Sequence, residues 1–137
     1  MLRLVIDSNV IVSSLLFAKS TPRQAVNKAL DTGKILISQE IIEELTNVLS
    51  RKKFNKYLLE EERLMFFAEF LKETDTVIIN QNFDACRDTK DNKFIDLAVC
   101  GNAQYIIPGD DDWLTLNPFR SISIINARDF LNLEILE

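Results

Sequence analysis

The sequence predicts an α/β fold, a three-layer α/β/α sandwich around a central parallel five-stranded sheet. Three observations lead there. Five short runs rich in Ile, Val and Leu alternate along the chain with stretches of helical spacing. The runs are nearly continuous in apolar residues, which marks strands covered on both faces. With Gly 3 and Pro 3 in total, there is no linker, low-complexity segment or repeat to break the alternation.

The first strand is "LRLVI" (2–6), followed by helical spacing over 10–17 and by a helix over 22–32 with Pro22 at its opening. "KILIS" (34–38) is the second strand and 39–50 the next helix, whose stripe is Ile41, Ile42, Leu45, Val48 and Leu49. A helix over 59–73 contains the Phe-rich "RLMFFAEFL", whose spacing assigns it to the core or to a dimer face. "TVIIN" (76–80) is the third strand, and 92–103 is helical. "AQYII" (103–107) and "SISII" (121–125) complete the sheet before a short helix over 127–132. Strands alternating with helices give a parallel sheet with right-handed crossovers.

At 137 residues and 47% hydrophobic, the chain fits one domain, 1–137, with a sizeable core. A net charge of −5 does not advertise nucleic acid through the whole-molecule field, so any such role rests on a local site. Histidine is absent, which excludes Ser-His-Asp and Cys-His schemes and the usual mixed zinc sites. Two cysteines, Cys86 and Cys100, suit free thiols in a reducing cytoplasm. Asp7 and Asn9 interrupt the opening apolar stretch, which argues against a signal peptide, and no run is long enough to span a membrane. Catalysis would have to come from carboxylates.

Parallel sheets bind ligands at the carboxyl ends of their strands, and there the acids collect. Asp7 follows the first strand in "VIDSNV", where a helix cap is the competing reading. Glu44 falls at the edge of its helix stripe, close enough to turn toward the sheet, with a solvated glutamate as the alternative. Asp91 lies one turn before Phe94 and Ile95, in line with the core face, whereas Asp96 projects the opposite way as ordinary surface. A carboxylate on a core face needs a cap, a cation or a metal, and Asp88 and Thr89 are better placed as caps. In "GDDDWL", Asp110 and Asp112 project alike and Asp111 away, although Asp112 could simply cap the following turn. Asp7, Glu44, Asp91 and Asp110 together place about four negative charges at one rim, a load that two divalent cations would balance. All-oxygen ligands select Mg²⁺ or Mn²⁺.

The segments "VIDSNVIVSSLL", "ISQEIIEELTNVLSRKKF", "CRDTKDNKFIDLAVCGNAQYIIPGDDDWL" and "INARDFL" resemble, in order and spacing over 2–131, the PIN-domain proteins, especially the VapC-like toxins of toxin-antitoxin modules. The resemblance implies a PIN-like, Rossmann-related domain and a metal-dependent endoribonuclease using one or two Mg²⁺ or Mn²⁺ ions. It further implies an RNA substrate, a small antitoxin partner and a homodimer. The family's four acids fall on Asp7, Glu44, Asp91 and Asp110, with Asp112 an accessory acid and Asn9 a supporting polar residue. Ser8 replaces the commoner threonine and keeps its hydroxyl; Pro108 stands where the family usually has threonine or serine, leaving the site one hydroxyl short.

Arg51, Lys52 and Lys53, with Arg87, Lys90 and Lys93, are candidates to hold RNA phosphates, the alternative for the first three being cations that favour a helix C-terminus. Two other functions compete: a non-catalytic PIN-like binding module, and a receiver- or phosphatase-like domain with Asp7 as phosphoacceptor. The second is weakened because "DSN" lacks an acid two residues on and no lysine follows the fifth strand.

Overall fold

The computed structural model describes residues 1–135; Leu136 and Glu137, the end of the expected 1–137 domain, lie outside the described residues. Its five strands are β1 (Leu2–Ile6), β2 (Gly33–Ile37), β3 (Thr74–Thr76), β4 (Tyr105–Ile107) and β5 (Ser123–Ile124). They form one parallel sheet in the order β3-β2-β1-β4-β5. The helices are α1 (Ser8–Leu16), α2 (Thr21–Thr32), α3 (Gln39–Leu49), α4 (Glu60–Lys72), α5 (Asn92–Cys100) and α6 (Ala127–Asn132).

The chain steps outward from β1 to β2 and β3, then returns to lay β4 and β5 on the other side of β1. Right-handed crossovers therefore put α5, which packs on β1, β2 and β4, on the face opposite the helices that precede β3. The reversal makes the edge between β1 and β4 the switch point, where the loops after both strands meet.

The central strands match the reading because Leu4, Val5, Ile6, Ile35, Leu36, Ile37, Ile106 and Ile107 are all buried. Helix α1 buries residues on every side, Ser8, Val10, Ile11, Val12, Ser14, Leu15 and Leu16 among them, as a helix enclosed between layers must. Ser20 and Ser38 cap α2 and α3 by accepting from the N–H groups of Arg23 and Ile41.

The sheet's edges depart from the reading. The third strand pairs through Thr74–Thr76 rather than 76–80. Only the N–H of Val77 still reaches β2, at Ile37 O (2.8 Å), and Ile78 is 86% exposed. An edge strand needs backbone partners on one side only, so the polar threonines pair while the apolar run beyond them leaves the sheet. The fifth strand shrinks to Ser123–Ile124 from 121–125, because Ile122 instead forms an antiparallel bridge with Phe119. Helix α5 stops at Cys100, short of 103, where Gly101 caps it and Asn102 adopts a left-handed φ of 55°.

Arg63 of α4 is fully buried. Its guanidinium donates to Leu49 O (2.7 Å), Asn55 Oδ1 (3.0 Å), Arg51 O (3.2 Å) and Leu58 O. This fork satisfies carbonyls at the end of α3 and along the turn that follows. It fixes the segment carrying Arg51 to Tyr57. Arg63 lies in register with buried Phe67 and Phe70, four and seven residues on.

Candidate active site

Asp7 ends β1 and caps α1, as the cap reading has it, and stands where the acids are expected to collect. Its N–H continues the ladder to Ile107 O (3.0 Å), and its carboxylate accepts the N–H of Asn9 (2.8 Å). The side chain is buried. Burial pushes its pKa up, the N–H groups of Asn9 and Gly109 oppose this, the Glu44 charge raises it further and Lys93 lowers it. Gly109 eases the approach: a Cβ there would stand a tight 3.3 Å from Asn9 Cβ and 3.4 Å from the Asp7 carboxyl carbon.

Asp91 begins α5 without capping it; Asp88 does the local capping by accepting from Lys90 N–H (3.0 Å). Instead Asp91 Oδ2 accepts from the indole N–H of Trp113 (3.1 Å), a residue buried against the Phe94 ring at 5.6 Å. Burial is the main cause of its raised pKa, with the charges of Asp7 and Asp88 adding to it and Trp113 and Lys93 opposing it. Asp91 therefore feels the Asp7 charge across the switch point.

Glu44 does turn inward, where its carboxylate is paired with the ammonium of Lys93. That ammonium also donates to Lys90 O (2.8 Å), and its side chain is only 14% exposed. Lys93 is thus an internal cation among three acids rather than a free phosphate contact.

Asp110 caps the 3₁₀ turn Asp111–Leu116 by accepting from Asp112 N–H (2.9 Å). Asp110 and Asp112 line a cleft of about 910 Å³ together with Asp91, Arg87, Cys86 and Trp113. Asp111 is exposed. Burial and the charges of Asp91, Asp88, Asp96 and Asp84 push the Cys86 thiol up to about 11. Ser8 is buried beside Asp7, and among the described residues its Oγ has no hydrogen-bond partner. Pro108 is buried.

Asp96 is not ordinary surface. It is buried and accepts the N–H of Phe83 (2.7 Å), because the irregular segment 77–88 crosses the face of α5 that the helical wheel assigns to solvent. Burial raises its pKa and the Phe83 N–H opposes the rise.

Arg51, Lys52, Lys53 and Arg87 are exposed. Arg87 lies at the acidic cleft, while Arg51 and Lys53 line a separate groove. Lys52 lines neither of these two hollows.

Among the described residues, no three Asp, Glu, Cys or His side chains converge closely enough to enclose an ion. The donors gathered here are nevertheless all hard oxygens, two of them on acids that resist carrying charge unaided. Mg²⁺ is commonly held by one or two carboxylates and keeps several waters, so an open carboxylate pair of this kind suits it. The orphaned Ser8 hydroxyl adds a polar atom needing a partner.

A parallel α/β domain with acids at its switch point defines a carboxylate-centred class of protein. The profile of the PIN domain matches residues 3–112. An uncharacterized protein of Methanocaldococcus jannaschii, MJ1680, is 33% identical over 132 residues, covering 93% of this chain and 84% of its own length. The fold is similar to VapBC of Salmonella typhimurium bound to DNA (TM-score 0.63, 12% identity, 93% of this chain and 99% of that one). It is also similar to VapBC2 of Rickettsia felis bound to a promoter DNA fragment (TM-score 0.62, 12% identity, 91% and 98%). The chain belongs to the PIN-domain family. PIN domains are nucleases, and membership places it among hydrolases acting on nucleic acid.

Proposed function

We propose that this protein is a Mg²⁺- or Mn²⁺-dependent endoribonuclease, the toxin of a toxin-antitoxin pair. The observation that carries the reading is the gathering of acids at the switch point: Asp7 ends β1 against the end of β4, and Asp91, Asp110 and Asp112 line the adjoining cleft, with the Asp7 charge and burial raising the pKa of Asp91. Such repulsion is tolerable at a site built to receive a cation. Asp7, Asp91 and Asp110 would hold one or two ions, with Glu44 and Asp112 completing the set and Ser8 and Asn9 supporting it. A bound ion supplies an activated water and offsets charge on the phosphate.

The protein's own groups do the rest. The N–H groups of Asn9 and Gly109 fix the Asp7 carboxylate, and Trp113 fixes Asp91 through Oδ2, leaving Oδ1 to accept a proton. Arg87 at the cleft offers a guanidinium to the phosphate. Water adds to phosphorus as Asp91 Oδ1 takes its proton, the P–O bond to the neighbouring nucleoside breaks, and the leaving oxygen takes up a proton from solvent.

The VapBC structures pair this fold with VapB on DNA, which supports a small antitoxin as the partner here. Leu59, Met65 and Phe66 are exposed apolar residues on or next to α4 and support a homodimer face. No helix among the described residues is long and apolar enough to cross a membrane, and we place the protein in the cytoplasm as a single domain.

The test is incubation of pure protein with single-stranded and structured RNAs in Mn²⁺, Mg²⁺ or EDTA. Cleavage should need the ion and vanish in Asp7→Asn, Asp91→Asn and Asp110→Asn, while Asp111→Asn keeps most of it. Persistence in EDTA, or in Asp7→Asn, would refute the mechanism. RNA binding without cleavage under any condition would leave the non-catalytic module.

A further inference from the structure

A second hollow, of about 370 Å³, lies between α1 and the turn after α3, lined by Asn9, Phe17, Arg51, Lys53 and Tyr57 among others. Its volume is at the small end of ligand sites, about 300–1,000 Å³, and its walls combine two features. Phe17 and Tyr57 meet edge to face at 5.0 Å and stay 40% and 48% exposed. Aromatic rings left this open forgo burial that a protein core would use. Arg51 and Lys53 stand beside them, and among the described residues neither is in an ion pair. The ammonium of Lys56 adds positive charge 5.0 Å from the Tyr57 ring centroid. In a chain of net charge −5, this is a local basic and aromatic patch.

The rim is also held in place. Arg63 binds the carbonyls of Arg51 and Leu58, on either side of Lys53 and Tyr57. Asn9 joins the hollow to the acidic pole: it lines the groove while its N–H is bound by the Asp7 carboxylate.

We propose that this groove is a nucleotide subsite for the RNA strand next to the scissile phosphate. It takes one unpaired base lodged against the exposed Tyr57 and Phe17 rings, face to face with one and edge-on to the other, with flanking phosphates against Arg51 and Lys53. The inference rests on the ribonuclease reading and deepens it: the substrate must be single-stranded on the Asn9 side of the cut. Base–aromatic stacking tolerates any base identity, so the subsite selects strandedness rather than sequence.

The experiment measures binding in EDTA, where no cutting occurs, by anisotropy of a fluorescent ten-nucleotide RNA and by emission of a 2-aminopurine version, which stacking quenches. Tyr57→Ala and Phe17→Ala should each weaken the single strand by about tenfold and reduce the quenching. Tyr57→Phe should bind like the unmodified protein, and a duplex RNA should be indifferent to all three. Arg51→Ala with Lys53→Ala should lower the salt slope by about 0.7 for each phosphate no longer neutralised. With metal, the aromatic variants should raise KM and leave kcat unchanged. Unaltered melting temperatures would confirm that these half-exposed rings do not hold the fold. Unchanged single-strand affinity in Tyr57→Ala overturns the subsite, even though cleavage by the unmodified protein would keep the ribonuclease reading intact. So would loss of a co-purifying antitoxin, rather than RNA, in the same variants, which would make the groove a protein-docking surface. If the unmodified protein neither binds nor cuts RNA, both readings fall.

Discussion

Replacing Arg63 with methionine should be among the costliest substitutions in this protein. Methionine keeps an apolar stem of similar length and removes the guanidinium, which has four acceptors: the carbonyls of Leu49, Arg51 and Leu58 and the side chain of Asn55. A hydrogen bond to a charged donor contributes about 1.5–3 kcal/mol, so a naive sum is roughly 6–12 kcal/mol. The turn after α3 is at the surface, and its carbonyls can recruit water once it loosens, which reduces the sum. The residue itself is fully buried, and a buried acceptor left unpaired costs about 1–3 kcal/mol, so with two carbonyls stranded the loss is on the order of 3–5 kcal/mol. For a domain of this size that is a fall of roughly 10–15 °C in Tm, at about 3 °C per kcal/mol. Urea unfolding followed by circular dichroism measures it directly. Arg63→Lys should fall between, since an ammonium keeps the charge and loses the fork. A loss below about 1 kcal/mol for Arg63→Met would refute the idea that this fork anchors the turn.

In EDTA, Asp7→Asn should raise Tm by several degrees, about 1–3 kcal/mol for relieving a desolvated charge, and Asp91→Asn should raise it less, because solvent screens its more exposed carboxylate. Both native pKa values lie above the unfolded 3.8, so the folded state binds more protons between the two values. Their contribution therefore favours folding at low pH and is lost as pH rises through the native pKa; the Tm advantage of the Asn variants should vanish below pH 4. Ten- to hundredfold excess Mg²⁺ over its dissociation constant should stabilise the unmodified protein by about 1.4–2.7 kcal/mol and the variants less, and a metal-insensitive Tm would sink the carboxylate site. Lys93→Met should lower Tm in EDTA and enlarge the gain from Mn²⁺, because the internal cation beside Asp7, Glu44 and Asp91 is gone; an unchanged gain in calorimetry would argue that Lys93 does not compete. Asp96→Ala should cost about 1–3 kcal/mol through the unpaired Phe83 N–H and speed proteolysis within 77–88, whereas a surface aspartate would show neither. With its pKa near 11, Cys86 is thiolate in about one molecule per thousand at pH 8, so its iodoacetamide reaction should be slow and should accelerate when a cation neutralises Asp91; mass spectrometry of the labelled peptide reads both.

The central strands β1, β2 and β4 were legible in the sequence because a strand buried on both faces is largely apolar, and Asp91 stood out as an acid in line with the core face of α5, whereas Asp7 read first as a helix cap. β3 was not, because an edge is chosen by backbone pairing, and Thr74–Thr76 carry no apolar signal. Asp96 misled because a helical wheel assumes one buried face, while α5 lies between the sheet and the segment 77–88. The Asp91–Trp113 and Glu44–Lys93 partnerships join residues on different elements, and local spacing does not encode them. Arg63 left a trace: a charged residue in register with Phe67 and Phe70 signals a buried cation with backbone partners.

Trp113 is the only tryptophan in the chain, and its indole N–H ends on Asp91. The protein's tryptophan emission, excited apart from Tyr57 and Tyr105, therefore comes from one fluorophore whose excited-state dipole sits against a single carboxylate. Any event that changes the charge on that carboxylate changes the electric field across the ring and shifts its colour. The site carries its own optical indicator, so ion titrations and proton uptake can be followed from the emission spectrum alone, without a dye, a label or a substrate.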